Sequence, residues 1–85
     1  MTDLEYIILD EIYFLTSFKK LLNEVNVEEV KMLSCLKLLI EKEWVAIYNL
    51  EKDIEIKYEP SIFDLNFHTY SYLATKKGLF AHNSN

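Results

Sequence analysis

Eighty-five residues, 51% of them hydrophobic and including six Tyr, five Phe and one Trp, suffice for one small domain spanning 1–85, with large aromatic side chains closing its core. Nine lysines against fourteen acidic residues give a formal net charge of −5, and the absence of arginine lowers the prospect of nucleic-acid binding, because arginine's rigid fork is the commonest reader of guanine edges. One cysteine excludes an internal disulfide, one glycine excludes a glycine-rich phosphate loop, and no apolar run is long enough to span a bilayer.

Asp3 and Glu5 stand where a secretory signal needs positive charge, so no targeting peptide is expected. The free thiol of Cys35 fits a reducing cytoplasm, and no base stands at motif spacing to make it a nucleophile.

The first segment, Thr2 to Leu15, reads as a helix opened by a capping box, Thr2 with Glu5 three residues on. Leu4, Ile8, Ile12 and Leu15 share one face at helical spacing, while Ile7 and Phe14 form a second apolar stripe. That stripe needs a cover, either the chain's own Leu79 and Phe80 or another subunit. Thr16 or Ser17 caps a short second helix over Phe18–Val25, with Leu21, Leu22 and Val25 inward. Asn26 reads as the N-cap of a third helix from about Val27 to Glu43, with Glu29 completing a second capping box. Its inward face gathers Val30, Leu33, Leu36, Leu39 and Ile40, with Met32 at the edge. The outward face shows Lys31, Ser34, Leu38, Glu41 and Lys42, and Cys35 and Lys37 fall at the borders.

Trp44–Tyr48 is rich in β-formers, and Ile54–Tyr58 alternates strictly, so the two predict a hairpin across the polar turn Asn49–Asp53. Glu59-Pro60-Ser61 breaks the second strand, and Ile62–Phe67 predicts one helical turn on the core. His68 to Ala74 predicts a return strand with Tyr70 and Tyr72 on one face. Thr75–Gly78 then turns the chain into a short terminal helix, with His82 onward fraying. The class is α+β: three N-terminal helices, a small antiparallel sheet and a short C-terminal helix.

Two stretches carry a family resemblance. LKLLIEKEWVAIY resembles the end of a winged-helix recognition helix running into its first wing strand, with Glu43 and Trp44 where a glycine usually precedes the strand. YSYLATKKG resembles the closing strand of the same domains, carried by Tyr72, Leu73, Thr75 and Gly78 with Ala74 inserted. In layout the chain is similar to winged-helix transcriptional regulators and to small stand-alone members of that superfamily. The resemblance implies a winged helix with a long wing, and double-stranded DNA read by the third helix through Lys31, Ser34, Lys37 and Lys42, with Lys52 and Lys57 on the wing. Against this stand Glu51, Asp53, Glu55, Glu59 and Asp64, carboxylates that repel phosphate along the same wing.

No carboxylate pair, zinc spacing or nucleophile–base pattern rises from the residues, so neither catalysis, cofactor nor metal is expected. The expected function is a non-catalytic protein-interaction module, self-associating or docking a partner, with Ile7, Phe14, Leu38, Tyr58 and Phe63 as candidate contacts. DNA binding is the alternative, and no membrane role is expected.

Overall fold

The computed structural model describes residues 1–84. Helix α1 (Asp3–Glu11) opens on the expected capping box: the Thr2 hydroxyl accepts from the Glu5 amide at 3.1 Å, and the Glu5 carboxylate accepts from the Thr2 amide at 2.8 Å. Two amides that a helix start leaves unpaired are thereby satisfied. The helix ends at Glu11, short of the expected Leu15, and Tyr13–Leu15 run as irregular chain.

Strand β1 (Thr16–Ser17) was not legible in the sequence. Its two residues form a strand only because they pair with a segment more than fifty positions away, Thr16 opposite Tyr72 and Ser17 opposite Ser71. Ser17 also caps α2 (Phe18–Val25), its hydroxyl accepting from the Lys20 amide at 3.2 Å. Asn26 is the C-cap of α2 rather than the N-cap of the next helix. It adopts φ 56°, ψ 52°, the left-handed conformation that asparagine tolerates better than most residues.

Helix α3 (Glu29–Glu41) is capped by Glu28 without a side-chain bond and is shorter at both ends than expected. Its exit explains the missing glycine. Glu43 takes φ 64°, its amide donates to Ile40 O at 2.9 Å, and the Trp44 amide donates to Leu39 O at 2.9 Å. These paired bonds are a Schellman motif, and Glu43 occupies the left-handed position that glycine usually fills.

Strands β2 (Val45–Asn49) and β3 (Ile54–Ile56) form the expected hairpin, with Ile47 opposite Ile56. Helix α4 (Pro60–Asn66), with proline in its first turn, is longer than the single turn expected, and a 3-10 helix (Phe67–Thr69) continues it. Strand β4 (Ser71–Ala74) lies between β1 and β2, and α5 (Lys76–Asn83) follows, capped by Thr75. Among the described residues the fold is thus α+β, with five α-helices and a four-stranded antiparallel sheet in the order β1-β4-β2-β3.

Gly78 sets where α5 sits. A Cβ built there would lie 2.2 Å from the Trp44 carbonyl oxygen, so only glycine lets the helix approach that backbone. The core joins Ile8, Leu9 and Ile12 of α1 to Leu36 and Leu39 of α3 beneath Ile47 and Tyr72 of the sheet. The buried Tyr72 hydroxyl donates to Phe67 O at 2.9 Å, and burial pushes its pKa well up.

Candidate interaction surface

The inward stripe of α3 is Met32, Cys35, Leu36, Leu39 and Ile40, whose spacing of three and four residues is that of one helical face. This corrects two expectations: Cys35 is buried rather than at the border, and Val30, expected inward, is 73% exposed. Met32 and Cys35 join the buried core that α3 shares with α1 and the sheet, and Val30 lies outside it. Val30, Ser34 and Leu38 then form a ridge at four-residue spacing, and Leu38 is 53% exposed. Leu4 of α1 stands across from that ridge. Between them runs an open groove of about 510 Å³, with Lys31 and Lys42 among its lining residues.

The wall near α1 is fixed by an ion pair. Glu5 is buried, and Lys42 Nζ reaches its Oε2 at 2.6 Å while also lying 4.6 Å from the Trp44 ring centroid. Burial by itself raises the Glu5 pKa, but the hydrogen bonds from Lys42 and Thr2 outweigh it, leaving the carboxyl below its ordinary value. Beneath the groove, burial and then the Glu5 charge push the Cys35 thiol up to about 11, more than Lys42 offsets. That thiol stays protonated at neutral pH and is a poor nucleophile.

The residues singled out for DNA do not form one patch. Lys31, Ser34 and Lys42 line the groove. Lys37 instead pairs with Asp64 of α4 at 2.6 Å, which raises its pKa, first through that hydrogen bond. Lys52 lies in the β2–β3 turn, where its amide donates to Asn49 Oδ1, and Lys57 directly follows β3. Lys57 borders a second hollow of about 330 Å³ whose lining also includes Glu43 and Glu55.

The candidate protein contacts also divide. Leu38 is in the groove. Ile7 and Phe14 are exposed, Phe14 at 84%, but neither lines it. Tyr58 is half-buried with its ring centroid 5.4 Å from that of Phe63. Phe63 is a correction: it is buried, and its ring neighbours Tyr58, Phe67, Tyr70 and Tyr72 at centroid distances of 5.4–6.4 Å. A surface contact it cannot be, because α4 turns that ring into an aromatic cluster with Tyr58, Phe67, Tyr70 and Tyr72.

Of the two covers expected for the second stripe of α1, the chain's own Leu79 and Phe80 do not bury Ile7 and Phe14. Helix α5 does pack on α1, but through His82 and Asn83 against Tyr6 and Tyr13. Ile7 and Phe14 remain open, and Phe80 is 75% exposed. His82, expected to fray, is buried. A signal existed: His82 stands four residues after Gly78, on the same face of α5.

Among the described residues no cluster of three or more His, Cys, Asp or Glu is placed to hold a metal, and no helix is long and apolar enough to cross a membrane. Comparison with protein-family models, with curated proteins and with solved structures finds no match to this chain.

Proposed function

We propose that the chain is a winged-helix scaffold acting as a non-catalytic docking module, and that its partner surface is the α1–α3 groove. The succession of three helices, a hairpin, a return strand and a terminal helix supports the scaffold. The observation that carries the function is the pair Val30 and Leu38, two aliphatic side chains more than half exposed on the helix that would enter DNA. Aliphatic groups there gain nothing from phosphate. Desolvated by a partner, each contributes on the order of 1 kcal/mol at 25 cal/mol per Å².

The groove selects its occupant by charge. Its one carboxylate, Glu5, is neutralised by Lys42, and Lys31 makes no ion pair within 4.0 Å among the described residues. In a chain of net charge −5 this is a locally basic seam. It fits an amphipathic helix of a partner protein whose apolar stripe is flanked by carboxylates.

DNA binding is the second reading, supported by Lys31 and Ser34 standing exposed on the outer ridge of α3. The pairing of Lys37 with Asp64 and of Lys42 with Glu5 weakens it, since two of its four helix contacts are already engaged.

Fluorescence anisotropy separates the two. The probes are a labelled helical peptide with a leucine stripe flanked by glutamates, its lysine-flanked counterpart, and a random DNA duplex. The acidic peptide is expected to bind best, and Leu38→Asp to weaken it at least about tenfold, roughly 1.4 kcal/mol. Duplex binding that falls steeply with salt and ignores Leu38→Asp would overturn the docking reading in favour of DNA. Sedimentation velocity on the protein alone reads whether a second copy takes the groove, since self-association lost in Leu38→Asp identifies that occupant.

A further inference from the structure

The sheet order leaves β3 at an edge, with β2 on one side and no strand on the other. Among the described residues, none of 54–58 makes a backbone hydrogen bond outside the β2 ladder. Such an edge offers free amides and carbonyls with which a further strand can pair. The extended segment runs on past the end of β3. Glu55 and Lys57 are exposed, Ile56 and Tyr58 are half-buried, and Glu59 is still extended at φ −129°, ψ 114°. Ile54 shares a face with Ile56 and is 49% exposed.

Charge decides what pairs there. Glu55 and Lys57 lie together on the other face, and neither makes an ion pair within 4.0 Å among the described residues. The Glu55 carboxylate accepts only from the Tyr48 hydroxyl, at 3.3 Å. A second strand of the same sequence, running antiparallel, supplies both missing partners. Residues opposite one another in an antiparallel ladder need backbone groups of matching direction, so a two-fold axis between identical strands falls on a residue.

Centred on Ile56, the pairing sets Glu55 opposite Lys57 on both sides of the axis. On the apolar face it sets Ile54 opposite Tyr58, and Ile56 against its own copy. Centred one residue earlier, Glu55 meets Glu55. The compensating Asp53–Lys57 pair is then lost, because Asp53 turns out of the strand at φ 55°. Centred one residue later, Lys57 meets Lys57 and Glu55 meets Glu59. Like charges directly opposite are destabilising, so a single register is selected.

We infer that the free edge of β3 is a self-association site, where two copies of the chain join their hairpins about Ile56 into one continuous sheet. The contact is isologous and uses up the β3 edge of both copies. The other edge, β1, is only two residues long, so pairing closes at a dimer. Little apolar area is covered, so the dimer is weak and depends on concentration. The site shares no residue with the lining of the α1–α3 groove and does not depend on what occupies it.

Sedimentation equilibrium of the full chain, from micromolar to millimolar concentration, is expected to show a reversible monomer–dimer equilibrium. Glu55→Lys and Lys57→Glu each set like charges opposite on both sides of the axis. Each should weaken the dimer by roughly tenfold or more. Mixed in equal amounts, the two variants regain complementary charges, and a heterodimer close to wild type in strength is expected. Both positions are exposed, so neither change should disturb folding, as circular dichroism checks. Amide exchange reads the site, since alternate amides across 54–58 should slow as concentration rises while those of α3 do not. Leu38→Asp should leave the dimer intact. A chain that stays monomeric at millimolar concentration, a dimer indifferent to both charge changes, or a mixture that fails to pair would each overturn the inference. So would a dimer lost in Leu38→Asp but kept in the charge variants, which would place self-association in the groove.

Discussion

Helix α1 meets two of its helical neighbours, α5 and α3, in opposite ways. Toward α5 it closes: Tyr6 and Asp10, with Tyr13 just past the helix end, surround a histidine, and Gly78 lets the partner helix settle onto the Trp44 backbone. Toward the outer ridge of α3 it stays open, leaving Leu4, Val30 and Leu38 around a groove whose one ionic tie among the described residues is Glu5 with Lys42. The difference lies in side-chain type. Rings with polar tips can bury their bodies and still satisfy their hydrogen bonds, so they seal a seam within one chain. Aliphatic side chains left half exposed have no such completion inside this fold and gain most from an outside surface.

The closed side should break first and hardest. Gly78→Ala places a methyl group against a backbone carbonyl that cannot rotate away, so α5 must lift from Trp44. A loss of about 2–3 kcal/mol is expected in urea unfolding, with α5 amides exchanging faster than those of β4.

An intermediate effect is expected where the open side is fastened. Glu5→Ala removes the capping box and strands Lys42, and should cost about 1–2 kcal/mol at neutral pH. Its pH dependence has a definite sign. The folded carboxyl is held below its ordinary value of 4.5, so its contribution is fully present above that value and is lost as pH falls through the lower folded value. Wild type and Glu5→Ala should therefore converge in stability in acid, as followed by urea midpoints across the range.

The smallest effect on folding is expected in the groove itself. Leu38→Asp should change stability by no more than about 0.5 kcal/mol, since the side chain is already largely in solvent. Together with lost peptide binding, that result would separate docking from folding. A large loss of stability would instead place Leu38 in the structural half of the comparison.

Much of this architecture was legible because its signals are local. A capping hydroxyl reaches an amide three residues away, so Thr2, Ser17 and Thr75 each mark a helix start from within the sequence. Proline 60 opens α4 for a reason carried in its own ring, and the alternation of Ile54 and Ile56 reports a strand whatever it packs against. The groove was half legible by the same logic, with Lys31, Ser34, Leu38 and Lys42 falling on the outward side of the third helix.

What tertiary structure decided are the properties that depend on a distant partner. Asn26 could cap either neighbouring helix, and its left-handed backbone settled which. Strand β1 exists because β4 lies beside it, and Phe63 is buried because α4 folds back on the aromatic cluster. Val30 faces outward because helical periodicity defines a stripe but not its rotation; that angle is set by the core that α1 and the sheet present to α3. His82 is buried because Gly78, one turn earlier, lets α5 lie flat against the rest of the fold. Short-range hydrogen bonds are written in neighbouring residues, whereas burial is a property of surfaces that meet only once the chain has closed.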